Sequence, residues 1–319
     1  MRQTVLSPAP ETIQSAAKNY AVLLDTDIGD DIDDALALAL ILSSPEISLK
    51  GVTTVFGETK LRARLAAYLL HLYGCDDIPV AAGMGTPLQP RQRPSGVPQE
   101  ALLDDRVVLP ALRTLSGPEL IVQTALVHPG QLILLCIGPL TNVAHALLLE
   151  PRIDTTIRRI VMMGGTSGFP FPEWNVRSDA KAAQVALGSG IPITMLGYNV
   201  TTRCQLREWD LEQLQSIGSP QTQFLSKLIA VWQRHRPRWH SQLPYLHDLL
   251  TVAALCRPEL FTFKKMTARV LTGGPFKGYM VPRSMSGPLV YAAVDVAVAE
   301  VREWIMQRLL LPSMHAQTP

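Results

Sequence analysis

Six aspartates, Asp25, Asp27, Asp30, Asp31, Asp33 and Asp34, are crowded into ten positions between two apolar runs. No other feature limits the possible folds so strongly. Like charges at this spacing repel, and burying one without a partner costs several kcal/mol or forces it to take up a proton. A bound divalent cation relieves both costs. The donors are all oxygens, with no Cys or His among them, which suits Ca²⁺ or Mg²⁺ rather than zinc. Residues 20–24 predict a short strand, 35–42 are rich in helix formers, and Gly29 supplies the turn between them. Asp33 and Asp34 then fall at a helix N-terminus, where exposed N–H groups favour negative charge. That accounts for one or two of the six but not for Asp25, Asp27, Asp30 and Asp31. A ligand site where a strand's carboxyl end faces a helix start belongs to an open α/β sheet.

Three other readings bear on this stretch. An EF-hand loop is excluded, because counting from Asp25 or Asp27 puts neither Gly sixth nor Glu twelfth. A Mg²⁺-dependent phosphatase with Asp25 or Asp27 as nucleophile uses a similar Asp-x-Asp pair and stays open, as does a solvated acidic loop.

The 319 residues, 47% hydrophobic, can bury a large core as one α/β domain or two. A formal charge of +2 and a pI near 8.4 are too mild for nucleic acid or an anionic membrane as main partner, and suit a small neutral substrate. Cys75, Cys136, Cys204 and Cys256 are widely separated, form no CxxC pair and read as reduced core thiols. The first twenty residues lack the pattern of a secretory signal and no apolar run reaches the length of a membrane span, so a cytoplasmic protein is expected.

Strands expected at 47–56, 79–82, 131–137, 159–163 and 191–196 alternate with helices at 61–72, 119–127 and 143–149, the rhythm of a parallel sheet with right-handed crossovers. On the helix at 61–72, Arg62 and Arg64 are placed on the exposed side. Residues 84–106 are irregular, and loops of that length are usually functional. Residues 208–240 read as helical and carry Trp232, Trp239 and His240. Basic residues interleave with these aromatics, yet a solvated face or a flap over a pocket fits better than nucleic acid. Tyr245, His247 and Asp248 precede a further helix. Residues 270–308 predict a hairpin around Gly278, a strand at 289–294 and a closing helix.

Several separated segments agree with one family. Asp25-Thr26-Asp27-Ile28-Gly29 with Asp33-Asp34-Ala35, Gly51-Val52-Thr53-Thr54-Val55, Gly138-Pro139-Leu140-Thr141-Asn142, Met163-Gly164-Gly165, Glu173-Trp174-Asn175 and His247-Asp248 occur in order. With them the chain resembles the nucleoside hydrolases, including the inosine/uridine-preferring group, over nearly everything after Tyr20. The resemblance implies a Rossmann-like, mainly parallel mixed sheet flanked by helices, with extra helices in the C-terminal part. Residues 20–312 would form one domain, behind a flexible extension at 1–19. It also implies hydrolysis of the N-glycosidic bond of ribonucleosides, with Ca²⁺ as cofactor and a homodimer or homotetramer as the assembly.

Carried across position by position, the resemblance makes Asp27 a Ca²⁺ ligand and the base acting on the attacking water. Asp34, Asp248 and the backbone carbonyl of Ile137 would be further ligands. Asp33, Glu173 and Asn175 would hold ribose hydroxyls, Met163 would pack against the sugar, and His247 would be the acid beside the leaving base. An oxocarbenium-like transition state needs water delivered to the anomeric carbon and a firm grip on an uncharged sugar, which these groups supply. Trp232, Trp239, His240 and Tyr245 are candidates for stacking on the base, with core burial the competing role. Taken singly, Met163 and Asn142 read as core and turn residues.

The chain also departs from the family pattern. Asp30, Asp31 and Ile32 intervene before the final Asp pair as a two-residue insertion, Glu58, a further substrate-binding candidate, stands where an asparagine is expected, the irregular loop has no His-Gly, and no Gly-Asn precedes Glu173. A non-catalytic nucleoside or ribose binder on the same fold is a further alternative.

Overall fold

The computed structural model describes residues 19–89, 96–236 and 241–311. The expected extension at 1–19 lies outside them apart from residue 19, as do Trp239 and His240.

Strand β1 (Tyr20–Thr26) is an apolar run buried along almost its whole length, as a central parallel strand must be. The chain turns at Gly29, whose φ of 122° is open to glycine, and enters α1 (Asp33–Leu42), buried on every side. Alternation continues through β2 (Ile47–Thr54), α2 (Thr59–Leu72), β3 (Val80–Ala82), the two-residue β4 (Leu112–Arg113), α3 (Gly117–Val127), β5 (Ile133–Cys136), α4 (Thr141–Leu149) and β6 (Arg159–Met163). Two short helices, α5 (Trp174–Ser178) and α6 (Ala180–Leu187), precede β7 (Ile193–Leu196) and α7 (Tyr198–Thr201).

Among the described residues ten strands form one sheet in the order β4-β3-β2-β1-β5-β6-β7-β10-β8-β9. Pairing is parallel from β4 as far as β10 (Leu289–Val296). Strand β8 (Phe261–Val270) then runs antiparallel to β10, and β9 (Met280–Pro282) antiparallel to β8. The order reverses at β1, so β1 and β5 diverge to opposite halves and their carboxyl ends flank the crevice where such sheets bind ligands. Among the described residues no helix is long and apolar enough to cross a membrane.

The stretch expected as helical from 208 onward is two helices, α8 (Glu208–Ile217) and α9 (Pro220–His235). Gly218 ends the first in the left-handed region, and Ser219 caps the second by accepting the Thr222 N–H. Helix α10 (Leu249–Cys256) follows Asp248, and α11 (Val298–Leu309) closes the chain. The hairpin around Gly278 is present, but β8 begins at Phe261, well before the expected start. Its alternation is interrupted by the exposed Lys264-Lys265 pair, which hides the period of two. Met280 on β9 exchanges backbone hydrogen bonds with Phe171 and lies over Gly165, where a Cβ would sit 2.2 Å from its sulfur.

Arg62 is the clearest correction. It is completely buried rather than solvated. It shares the inward stripe of α2 with Thr59, Ala63, Ala66 and Leu69, a stripe that helical spacing alone would have pointed out.

Candidate metal and nucleoside site

Burial is nearly complete for Asp33, Asp34 and Asp248, and one oxygen of each lies within 4.8 Å of the other two. The start of α1 supplies the first pair and the residue before α10 supplies the third, more than two hundred positions later. Neither helix spends these side chains on its own cap. The Asp248 N–H donates to Asp33 Oδ2 at 3.3 Å, and Thr26 Oγ1 donates to Asp34 Oδ1. Burial, and then the charges of neighbouring aspartates, hold all three carboxyls well above their ordinary range.

Asp27 stands just outside that trio, at the mouth of the β1 turn. A Cβ on Gly138 would come within 2.8 Å of Asp27 Oδ1, so the glycine of the Gly-Pro-Leu-Thr-Asn turn makes room for the carboxylate. Burial pushes Asp27 up to about 7, with the Arg62 guanidinium opposing it and Asp30 and Asp25 adding to it. The carbonyl of Ile137 accepts from Asn175 Nδ2 at 2.7 Å.

Asp25 sits one layer deeper. Its Oδ1 accepts from Thr53 Oγ1 at 2.6 Å and Asn142 Nδ2 at 2.7 Å, while Oδ2 is buried without a hydrogen-bond partner. Burial lifts this carboxyl to about 7 against those two hydrogen bonds. Asn142 also donates to the Thr54 carbonyl and accepts the Met84 N–H, so it ties the ends of β1 and β2 to the loop after β3.

On the far side of β5, Glu173 caps α5. Its carboxylate accepts the N–H groups of Gly165, Asn175 and Val176 at 2.9–3.1 Å. Burial raises its pKa, and those backbone bonds pull against the rise. Asn175 Nδ2 also lies 3.2 Å from the Met163 carbonyl and 3.6 Å from its sulfur, so Ile137, Met163, Glu173 and Asn175 form one contiguous patch.

His247 is held by Thr201 Oγ1, 2.7 Å from its Nδ1. The Tyr245 ring stacks with the imidazole at 5.3 Å and the Tyr198 ring at 6.0 Å, and Phe171 stacks in turn with Tyr198 at 4.8 Å. Tyr198, Phe171 and Thr201 are additions to the residues read from the sequence; Tyr198 and Thr201 follow the end of β7 closely, but no sequence signal marks Phe171. Trp232 instead packs in the core with Arg236 across its ring. Glu58 is exposed at the N-cap of α2, and its side chain makes no capping hydrogen bond.

The donors of the Asp33, Asp34 and Asp248 trio are hard oxygens, they are buried, and they repel one another. That combination fits a divalent cation. Fold and site therefore define an α/β protein with a buried cluster of three carboxylates, able to hold a metal ion, near the carboxyl ends of its parallel strands.

The family model for inosine-uridine preferring nucleoside hydrolases matches residues 22–303. A probable uridine nucleosidase 2 of Arabidopsis thaliana is 33% identical, covering 91% of this chain and 97% of its own length. The non-specific ribonucleoside hydrolase RihC of Escherichia coli strain SE11 is 34% identical, covering 92% and 99%. A solved plant nucleoside hydrolase, PpNRh1, superposes with a TM-score of 0.82 at 27% identity, covering 92% of this chain and 99% of its own. The chain belongs to the inosine-uridine preferring nucleoside hydrolase family and is an enzyme that hydrolyses N-ribosyl bonds.

Proposed function

We propose that this enzyme cleaves ribonucleosides, uridine among them, to ribose and free base with one Ca²⁺ held by Asp27, Asp34, Asp248 and the Ile137 carbonyl. One observation carries the reading: carboxylates of Asp33 and Asp34 from the start of α1 and of Asp248 from before α10 converge within 4.8 Å in a buried site, and the Asp27 charge acts on Asp34 and Asp248. Calcium tolerates an irregular shell of six to eight oxygens, carboxylates and carbonyls alike, which suits this set better than the strict octahedron of magnesium. The second lone pair of the Ile137 carbonyl is left over from its bond to Asn175. When bound, the cation would supply a water of lowered pKa and a fixed point for ribose hydroxyls.

The remaining steps belong to side chains. Asp27 takes the proton of the attacking water on its carboxylate. Asp33, Asn175 and Glu173 hold the ribose hydroxyls, and Met163 forms the floor under the sugar. His247 donates a proton to the departing base, oriented by Thr201, with Tyr198 and Tyr245 as the flat surfaces around it.

Relatives named for uridine and for ribonucleosides in general support a substrate range that includes pyrimidines. A sheet continuous from β4 to β9 supports residues 20–312 as one catalytic unit. Four unpaired cysteines suit the reducing cytoplasm, and a homodimer or homotetramer is the assembly we expect. The test is a panel of purine and pyrimidine ribonucleosides assayed for ribose, with and without chelator. Ribose release that Asp27→Ala abolishes and Ca²⁺ restores after chelation supports the reading. Unaltered release by Asp27→Ala overturns it.

A further inference from the structure

The resemblance reads the acidic turn as two residues longer than the family pattern, and the structure shows what holds a turn of this length. Arg62 on α2 donates from Nε to the Phe56 carbonyl at 2.7 Å and from Nη1 to the carbonyls of Asp27 and, at 2.9 Å, Ile28. Its Nη2 meets Asp30 Oδ2 at 2.7 Å. Gln99, equally buried, comes from the irregular loop on the other side. Its backbone N–H donates to the Gly29 carbonyl at 3.3 Å, and its Nε2 reaches the carbonyls of Asp31 at 2.8 Å and Asp30 at 3.3 Å. Five consecutive carbonyls, 27 to 31, are thus satisfied by two residues distant in sequence. Val97 seals the turn, since a Cβ on Gly29 would lie 2.2 Å from its Cγ1. The two carboxylates of the added length point elsewhere: Asp30 to Arg62, and Asp31, exposed, to the Ile32 N–H at 2.8 Å.

We propose that Arg62 and Gln99 are positioning residues: they set the backbone of the acidic turn, and so aim Asp27, Asp33 and Asp34 at the cation, with Asp30 as an anchor of the clamp and not a ligand. This rests on the cation reading above. The planar guanidinium, with five donors in a fixed fork, is what lets one side chain hold three carbonyls and a carboxylate at once. A lysine keeps the charge but not the fork. A merely structural buried arginine would leave the site unchanged once the protein is folded.

The experiment compares Arg62→Lys, Arg62→Met and Gln99→Ala with the unaltered chain. Hydrogen exchange of the amides at 28–34 in metal-free protein reads the turn, calorimetric titration with Ca²⁺ reads the site, and kcat and KM for uridine read the chemistry. Arg62→Lys is expected to melt cooperatively, to speed exchange at 28–34 by about tenfold while the rest of the sheet is unaffected, and to weaken Ca²⁺ binding by about 10–100-fold. Its kcat at saturating Ca²⁺ falls more than its KM changes, and Gln99→Ala moves each readout the same way by less. Wild-type exchange and wild-type Ca²⁺ affinity in both Arg62→Lys and Gln99→Ala overturn the proposal, even if Arg62→Met does not fold. Should the unaltered chain neither bind Ca²⁺ nor release ribose, the functional reading fails, and exchange at 28–34 still decides whether Arg62 and Gln99 set the turn.

Discussion

Two buried acidic regions lie on either side of β5, and they solve the same electrostatic problem in opposite ways. Around α5 and α6 the carboxylates are supplied with protein donors. Glu173 accepts three backbone N–H groups, and Asp179 accepts from the Ala182 and Leu88 N–H groups and from Thr141 Oγ1. Around α1 and α10, Asp33, Asp34 and Asp248 face chiefly one another, and the nearest buried guanidinium is turned to carbonyls and to Asp30. Burial alone is therefore a poor sign of a ligand. Burial with repulsion that no protein donor relieves is a better one, because either a proton or an external cation must then offset it.

Removing a carboxylate should have opposite consequences in the two regions. Asp248→Asn is expected to lower ribose release by about three orders of magnitude, as loss of several kcal/mol of cation-derived stabilisation implies. The same substitution should raise the melting temperature of the metal-free protein, because a repelling charge is gone. A metal-free Asp248→Asn protein that melts below the unaltered chain would break the contrast. Next in size, chelation should destabilise the unaltered chain by about 2.7 kcal/mol relative to protein held at a hundred times the Ca²⁺ dissociation constant. Denaturant melts with and without chelator measure this, and Asp248→Asn should show little difference between them. Asp179→Ala, in the satisfied region, should cost roughly 2 kcal/mol from a lost cap and stranded donors, with the Ca²⁺ affinity of the folded fraction unchanged by titration. The smallest effect belongs to Asp31→Asn, expected to stay within about 0.5 kcal/mol in the same melts. A larger loss would mean that the exposed end of the turn is part of the site.

Much of this was legible in advance, for physical reasons. Residues 25–34 concentrate a charge density that few folds tolerate, so the strand, turn and helix around them could be read directly. The Gly138 turn was readable as a helix start, although its need for glycine comes from Val55 and Asp27 lying against it in space. Convergence of Asp248 with Asp33 and Asp34 was an inference from family likeness; nothing local at 248 announces it. Arg62 was misplaced because a charged residue on a helix is normally solvated, and only the partners at 27, 28, 30 and 56 make burial favourable. The ring stack at Tyr198 and Phe171 was invisible, since it joins loops after different strands.

The docking of Met280 over Gly165 makes the outermost strand a structural neighbour of the loop that carries Gly164 and Gly165. Mutations in the 271–288 hairpin, far along the chain from the acidic turn at 25–34, therefore have a mechanical route to Gly164, Gly165 and Glu173. Changes of substrate preference among homologues should be sought in that hairpin as readily as in the acidic turn itself.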